Sequence, residues 1–159
     1  MRAAIVTIST SKARGEGTDE SGPALAEFAR SLGAEIEGED LLPDDREQIE
    51  ARLRHWSDDR GCDLVLTSGG TGFAPSDVTP EATRAVVERD APGIAEAMRA
   101  ASRDHTPHWM LSRAAAGIRG RTLIVNFPGS PKSVRQIADA IAPALPHALA
   151  LLRGEETRH

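Results

Sequence analysis

Three short runs of apolar, largely β-branched residues punctuate the chain: Ala3 to Ile8, Asp63-Leu-Val-Leu-Thr67 and Thr122-Leu-Ile-Val-Asn126. Runs of this length, bounded by turn-forming residues and without helical spacing, read as strands buried on both faces. Ala34 to Leu42 is a weaker fourth strand. The segments between them carry helical signals. Pro23 suits a first helical position, Ala24 to Ala29 continues the helix, and Gly33 stops it. Pro43 to Glu47 opens a second helix, in which Ile49, Leu53 and Trp56 recur at helical spacing. Thr79-Pro80-Glu81 starts a third, running to about Arg89. Pro92 to Ala101 forms a fourth, and Met110 to Ala116 a short fifth. A last helix begins at Pro131, buries Val134, Ile137, Ala138, Ile141 and Leu145, and is split in two by Pro143 and Pro146. Thr10 to Gly22 is expected to be a polar loop. Strands alternating with helices predict an α/β sandwich around a mostly parallel sheet.

Composition narrows the class. A length of 159 residues fits a single domain spanning 1–159. The net charge of -5 and a supply of two Trp, three Phe and no Tyr deprive the chain of the basic surface and stacking rings that general nucleic-acid binding uses. A small anion is still compatible with this charge, because a few aimed N–H groups can hold a phosphate. Cys62 is the one cysteine, so neither an internal disulfide nor a thiolate metal cluster is expected. The Ala3 to Ile8 run is shorter than a signal peptide's apolar region and lacks a small-residue cleavage site. Ile137 to Leu152 is interrupted by Asp139, Pro143, Pro146 and His147, so it is not expected to span a membrane. A cytoplasmic protein is the expectation.

Two strands lead into glycine loops. The first is Ser68-Gly69-Gly70-Thr71-Gly72, and the second is Asn126-Phe127-Pro128-Gly129-Ser130-Pro131-Lys132. In an open parallel sheet such loops gather at the carboxyl edge of the strands, where ligands bind. Glycine lets the backbone approach a ligand closely and turn successive N–H groups toward an anion. The hydroxyls of Ser68, Thr71 and Ser130, the helix start after Pro131 and the charge of Lys132 add to this. Neither loop matches a dinucleotide fingerprint or a P-loop, and Gly129-Ser130 lacks the pattern of a hydrolase nucleophile. Asp77 follows the first loop by five residues. It suits a Mg²⁺ ion beside bound phosphates, or it orders the turn while Thr79 caps the next helix. Asp44 opens Asp44-Asp45-Arg46-Glu47, a capping-box-like start, so the residues alone favour an N-cap role for it. His105 and His108 read as surface histidines.

In this order, Thr67 to Gly72, Asp77-Val-Thr-Pro-Glu-Ala-Thr83, Pro92-Gly93, Leu111-Ser-Arg113 with Ala116-Gly-Ile-Arg119, and Asn126 to Lys132 resemble the molybdopterin-binding MoaB/Mog family. The resemblance covers about residues 3–152 and adds several implications. It implies a three-layer α/β/α sandwich and a homotrimer, leaving open whether trimers pair into hexamers, and partnership with other cofactor-biosynthesis proteins. It also implies Mg²⁺-dependent reaction of ATP with molybdopterin, giving adenylyl-molybdopterin and pyrophosphate. Asp44 and Asp77 match the family's two functional aspartates and would hold Mg²⁺. Ser68, Gly69, Gly70, Thr71 and Gly72 would line the nucleotide or phosphate site. Ser112, Asn126, Pro128, Gly129, Ser130 and Lys132 would serve the pterin-phosphate side. Relatives carry an aspartate near Thr10 or Ser11, which this chain lacks, whereas Asp19-Glu-Ser-Gly22 matches the element that follows. The alternative function is a molybdopterin carrier that transfers no AMP. The molybdate-insertion reaction of larger multidomain relatives is not expected of a chain this short.

Overall fold

The computed structural model describes residues 1–157; Arg158 and His159 of the expected domain lie outside the described residues. The four predicted strands form as β1 (Arg2–Ile8), β2 (Glu35–Leu42), β3 (Leu64–Ser68) and β6 (Thr122–Phe127), and all four are parallel. The near-continuous apolar character of β1, β3 and β6 follows from burial on both faces, whereas β2 is a charged, partly exposed edge strand. Alternate side chains go to opposite sides of the sheet. Ala3, Ile5, Leu64, Leu66, Leu123, Val125 and Phe127 enter one core; Ala4, Val6, Ile8, Val65 and Ile124 enter the other. The first core is closed by α2 (Ser21–Ser31), α5 (Pro92–Ser102), α6 (Pro131–Ile141) and α7 (Leu145–Leu152). The second is closed by α3 (Arg46–Arg54) and α4 (Thr79–Val86). The result is the expected three-layer α/β/α sandwich. Among the described residues, no helix is long and apolar enough to cross a membrane.

The sheet has two more strands than the apolar runs predict, and its order is β2-β1-β3-β6-β5-β4. β5 (Ala116–Arg119) runs antiparallel to β6, and β4 (Arg89–Asp90) runs antiparallel to β5. The helix expected over Met110 to Ala116 is therefore replaced by one tight turn at Trp109–Leu111 and then a strand. Alanine-rich sequence favours a helix locally, but pairing with β6 decides otherwise. β5 returns into β6 through Gly120-Arg121, with Gly120 at φ +57. A glycine at the first position of a two-residue loop is a hairpin signal. The third helix stops at Val86 rather than near Arg89, because Glu88 and Ala91 donate their amides to the carbonyls of Ile118 and Ala116. The Thr10 to Gly22 loop holds a single helical turn, α1 (Thr10–Ala13), and α2 already begins at Ser21. The proline-split last helix forms as expected, as α6 and α7.

Trp56 anchors the outer edge of the second core. After α3 the chain widens by one residue per turn, so that Arg60 N donates to His55 O five residues back. The indole lies on Gly38 of β2, its Nε1 donates to Asp40 Oδ2 at 2.7 Å, and the Arg52 guanidinium sits 5.2 Å from its ring centroid. A Cβ at Gly38 would stand 2.3 Å from Trp56 Cη2. Gly38→Ala is therefore expected to lower unfolding stability by about 1–3 kcal/mol through overpacking, as measured by urea denaturation with an unchanged m-value.

Candidate functional site

The chain leaves β1 toward β2 on one side and enters β3 on the other, so the strand order reverses at β1 and β3. The crevice at their carboxyl ends is where open α/β sheets place ligands. The loop after β3 crosses this crevice. Gly69 and Gly70 take φ values of +91 and +66, a region that side-chain-bearing residues rarely enter. Gly69 also has no room for a side chain, since a Cβ would lie 2.1 Å from the Ile8 carbonyl oxygen at the end of β1. The second glycine loop arrives on the opposite flank. Gly69 N donates to Phe127 O at 3.0 Å, and a Cβ on Gly129 would lie 3.4 Å from the Cα of Gly69. The two loops are thus in contact through their glycine backbones. Beyond them, Ser130 caps α6, its Oγ accepting from Ser133 N at 3.4 Å. Gly129, Ser130 and Lys132 are exposed around that positive helix end.

The structure moves Asp44 out of the capping role. The N-cap of α3 is Asp45, which accepts from Gln48 N at 3.1 Å. Asp44 instead turns toward the first loop. Its Oδ2 accepts from Thr10 Oγ1 at 2.8 Å and from Thr10 N at 3.2 Å, and its own N–H donates to Thr10 Oγ1 at 2.9 Å. Its Oδ1 lies 3.1 Å from where a Gly70 Cβ would stand. Thr10, near the place where the family's acidic residue is absent, thus holds the Asp44 carboxylate by two donated hydrogen bonds. Asp77 stands beside the other end of the loop. Its Oδ2 lies 2.9 Å from the Cβ position of Gly72 and accepts from Ala74 N at 3.0 Å, so it does order the turn. Thr79 does not cap α4: Val78 occupies the cap position and makes no side-chain cap bond.

Arg113 is the residue that the glycine motifs do not reveal. Its guanidinium donates to Gly72 O at 2.7 Å, to Asp77 O at 2.8 Å and to the Glu81 carboxylate, while its N–H donates to Thr71 O at 2.8 Å. The side chain and amide of this one residue together tie both ends of the Thr71–Asp77 segment to α4. The hydrogen bond from Arg113 is the main reason the Glu81 carboxyl is held below the usual carboxylate range. A lone arginine after Leu111-Ser carries no spacing signal for this, because its partners are carbonyls brought together only by folding.

Several expected ligand-facing groups face inward instead. Ser68 is fully buried, and its Oγ lies 2.8 Å from Ser21 Oγ. Ser21 gives its proton to Asp19 Oδ1, which also accepts from Gly22 N, while Asp19 Oδ2 accepts from Thr7 Oγ1. Ser68 is therefore the donor to Ser21. Asn126 is likewise fully buried: its Nδ2 donates to Thr67 Oγ1 at 3.0 Å and Thr83 Oγ1 at 2.9 Å, and its Oδ1 accepts from Ala115 N. It joins β3, β6 and α4 behind the loop, with no donor left for a ligand. Ser112 and Pro128 line a small cleft between α5 and α6 together with Trp109, His108 and Ser133. Among the described residues, no group of three or more His, Cys, Asp or Glu side chains forms a metal cage. The two aspartates are suited only to a cation that takes most of its ligands from substrate and water, as Mg²⁺ does.

The comparisons with known proteins agree with this geometry. The chain is 38% identical to gephyrin of Dictyostelium discoideum over 95% of its own length and 22% of that protein's length. It is 45% identical to the molybdopterin adenylyltransferase of Helicobacter pylori over 72% of its own length and 65% of the relative's. The chain thus spans less than two thirds of these two relatives. Among solved structures, the molybdopterin biosynthesis enzyme MoaB of Thermus thermophilus superposes with a TM-score of 0.91 at 46% identity, covering 99% of both chains. Residues 4–147 match the family model described as "Probable molybdopterin binding domain", and the chain belongs to that family.

Proposed function

We propose that this chain adenylylates molybdopterin in molybdenum cofactor biosynthesis, using ATP and Mg²⁺ and releasing pyrophosphate. The observation that carries this reading is the Gly69–Gly72 loop, whose half-buried Gly70 and Gly72 stand against the carboxylates of Asp44 and Asp77. Such a loop suits a triphosphate, and the exposed N-terminus of α6 with Ser130 and Lys132 suits a second phosphate beside it. The names of the relatives point the same way.

On this reading, a phosphate oxygen of molybdopterin attacks the α-phosphorus of ATP. The bond from that phosphorus to the bridging β-phosphate oxygen breaks, and pyrophosphate leaves. Asp44 and Asp77 would hold Mg²⁺, which supplies charge neutralisation at the phosphates. The chain's own work is positioning. The amides of Gly70, Thr71 and Gly72 would bind the nucleotide phosphates, since that of Gly69 is taken by Phe127 O. Gly129, Ser130 and Lys132 bind the pterin phosphate, and the cleft beside Ser112 and Pro128 receives the pterin side. Ser68, Asn126 and Arg113 act through the loops they brace. A single domain over 1–159, a cytoplasmic location, a homotrimer and contact with other cofactor-biosynthesis proteins belong to the same reading. The carrier alternative keeps the binding half of this scheme without the transfer.

Incubating the protein with molybdopterin, ATP and Mg²⁺ is expected to yield pyrophosphate and the AMP adduct; tight pterin binding with no adduct would establish the carrier instead. Asp77→Asn is expected to abolish transfer while leaving molybdopterin affinity within about twofold, and equal loss of both would make Asp77 structural. Arg113→Met should release the Thr71–Asp77 segment and lower kcat/KM for ATP by about a hundredfold, the scale of a 1 Å misplacement. A steady-state assay that finds it unchanged removes Arg113 from the site.

A further inference from the structure

Thr79 opens α4 and is fully buried, yet its hydroxyl has no hydrogen-bond partner. Its backbone N–H is satisfied, donating to Gly70 O at 3.1 Å. One helical turn further on, Thr83 shows the usual outcome for a buried threonine in this fold, with its Oγ1 accepting from Asn126. Buried hydroxyls in folded proteins find partners, and one without any calls for an explanation. The position of Gly70 supplies it. A Cβ there would meet Thr79 Oγ1 at 2.4 Å and Asp44 Oδ1 at 3.1 Å, so both oxygens bracket the same point under the loop. Asp44 is itself half committed. Thr10 holds Oδ2 with two donors, and no described residue donates to Oδ1. A donor without an acceptor and an acceptor without a donor thus crowd the same glycine.

We propose that Thr79 is the positioning residue for Asp44 in the ligand-bound state, its hydroxyl donating to Asp44 Oδ1 once the carboxylate turns to its ligand. Thr10 and Thr79 then hold the two carboxylate oxygens from opposite sides, which fixes the carboxylate plane relative to the loop. Gly70 is required at the crossing because any side chain would stand between the pair. This inference rests on the Mg²⁺-ATP reading of the site. It differs from that reading in concerning a residue that touches neither substrate nor metal.

The test compares Thr79→Val, which keeps shape and β-branching, with Thr79→Ser, which keeps the hydroxyl. Ligand-free thermal midpoints and calorimetric titrations of ATP with and without Mg²⁺ are measured on the full chain. Thr79→Val is expected to leave the midpoint unchanged or raise it, since no bond is lost and a buried unpaired polar atom is removed. It should weaken ATP binding in Mg²⁺ by about tenfold, the scale of one hydrogen bond to a charged group, and leave binding without Mg²⁺ unaltered. Thr79→Ser should bind like the wild type, and Thr79→Val should cause no further loss in an Asp44→Asn background. A Thr79→Val protein that loses stability or fails to fold overturns the proposal. So does one with wild-type affinity for Mg²⁺-ATP, or one whose loss persists in full beside Asp44→Asn. A wild type that binds Mg²⁺-ATP but releases no pyrophosphate with molybdopterin tells against the transfer reaction, not against this role of Thr79.

Discussion

The approach of Gly69 to the carbonyl of Ile8 sets the rest of the site. A Cβ at that position would stand 2.1 Å from the carbonyl oxygen, so only glycine lets the chain leaving β3 pass over the end of β1. That passage keeps the loop inside the crevice where the strand order reverses. It also brings Gly69 N to Phe127 O and sets Gly129 against Gly69, so the two glycine loops share one wall. Three parallel strands buried on both faces, β1, β3 and β6, make the wall rigid, because a shift at their carboxyl edge disturbs two cores.

Around this crossing, polar side chains divide into those that brace and those left free to bind. Asn126 and Ser68 are completely absorbed by neighbours and hold the loop from behind. Arg113 holds the outer half by its carbonyls, an arrangement for which the rigid fork of a guanidinium is suited. The carboxylates of Asp44 and Asp77 each carry bonds on Oδ2 only. This is the pattern expected of groups that are oriented by the protein but retain an oxygen for something else. Catalysis by positioning asks for this division: stiff supports and a small number of unsaturated atoms aimed at one place.

The parts that could be read from the chain were those whose signal is local. Ala3 to Ile8, Leu64 to Thr67 and Thr122 to Asn126 are strands because their apolar runs can only be buried between two layers. Pro143 falls in the break of the last helix, which it cannot continue, and Pro146 fits the first turn of α7, where no amide donor is needed. The parts misread were those where a distant partner overrides local preference. Ala114 to Ala116 looks helical until β6 offers Ala116 and Gly117 an antiparallel ladder. Asp44 looks like a cap until Thr10, just beyond the end of β1, takes its carboxylate and leaves the cap to Asp45.

By itself the sequence determined the layered α/β architecture, the two glycine loops and the family, since periodicity, glycine placement and motif order are all properties of neighbouring residues. Tertiary structure alone decided which polar groups remain available. Whether Ser68, Asn126 or Asp44 has a spare atom depends on partners 34 to 59 residues away, and hydrogen-bond satisfaction is settled only when such partners are brought within about 3 Å. The unpaired hydroxyl of Thr79 is decided in the same way. The glycine at position 70 belongs to both accounts: its φ of +66 is a local demand, while the two oxygens that crowd it come from segments joined only by the fold.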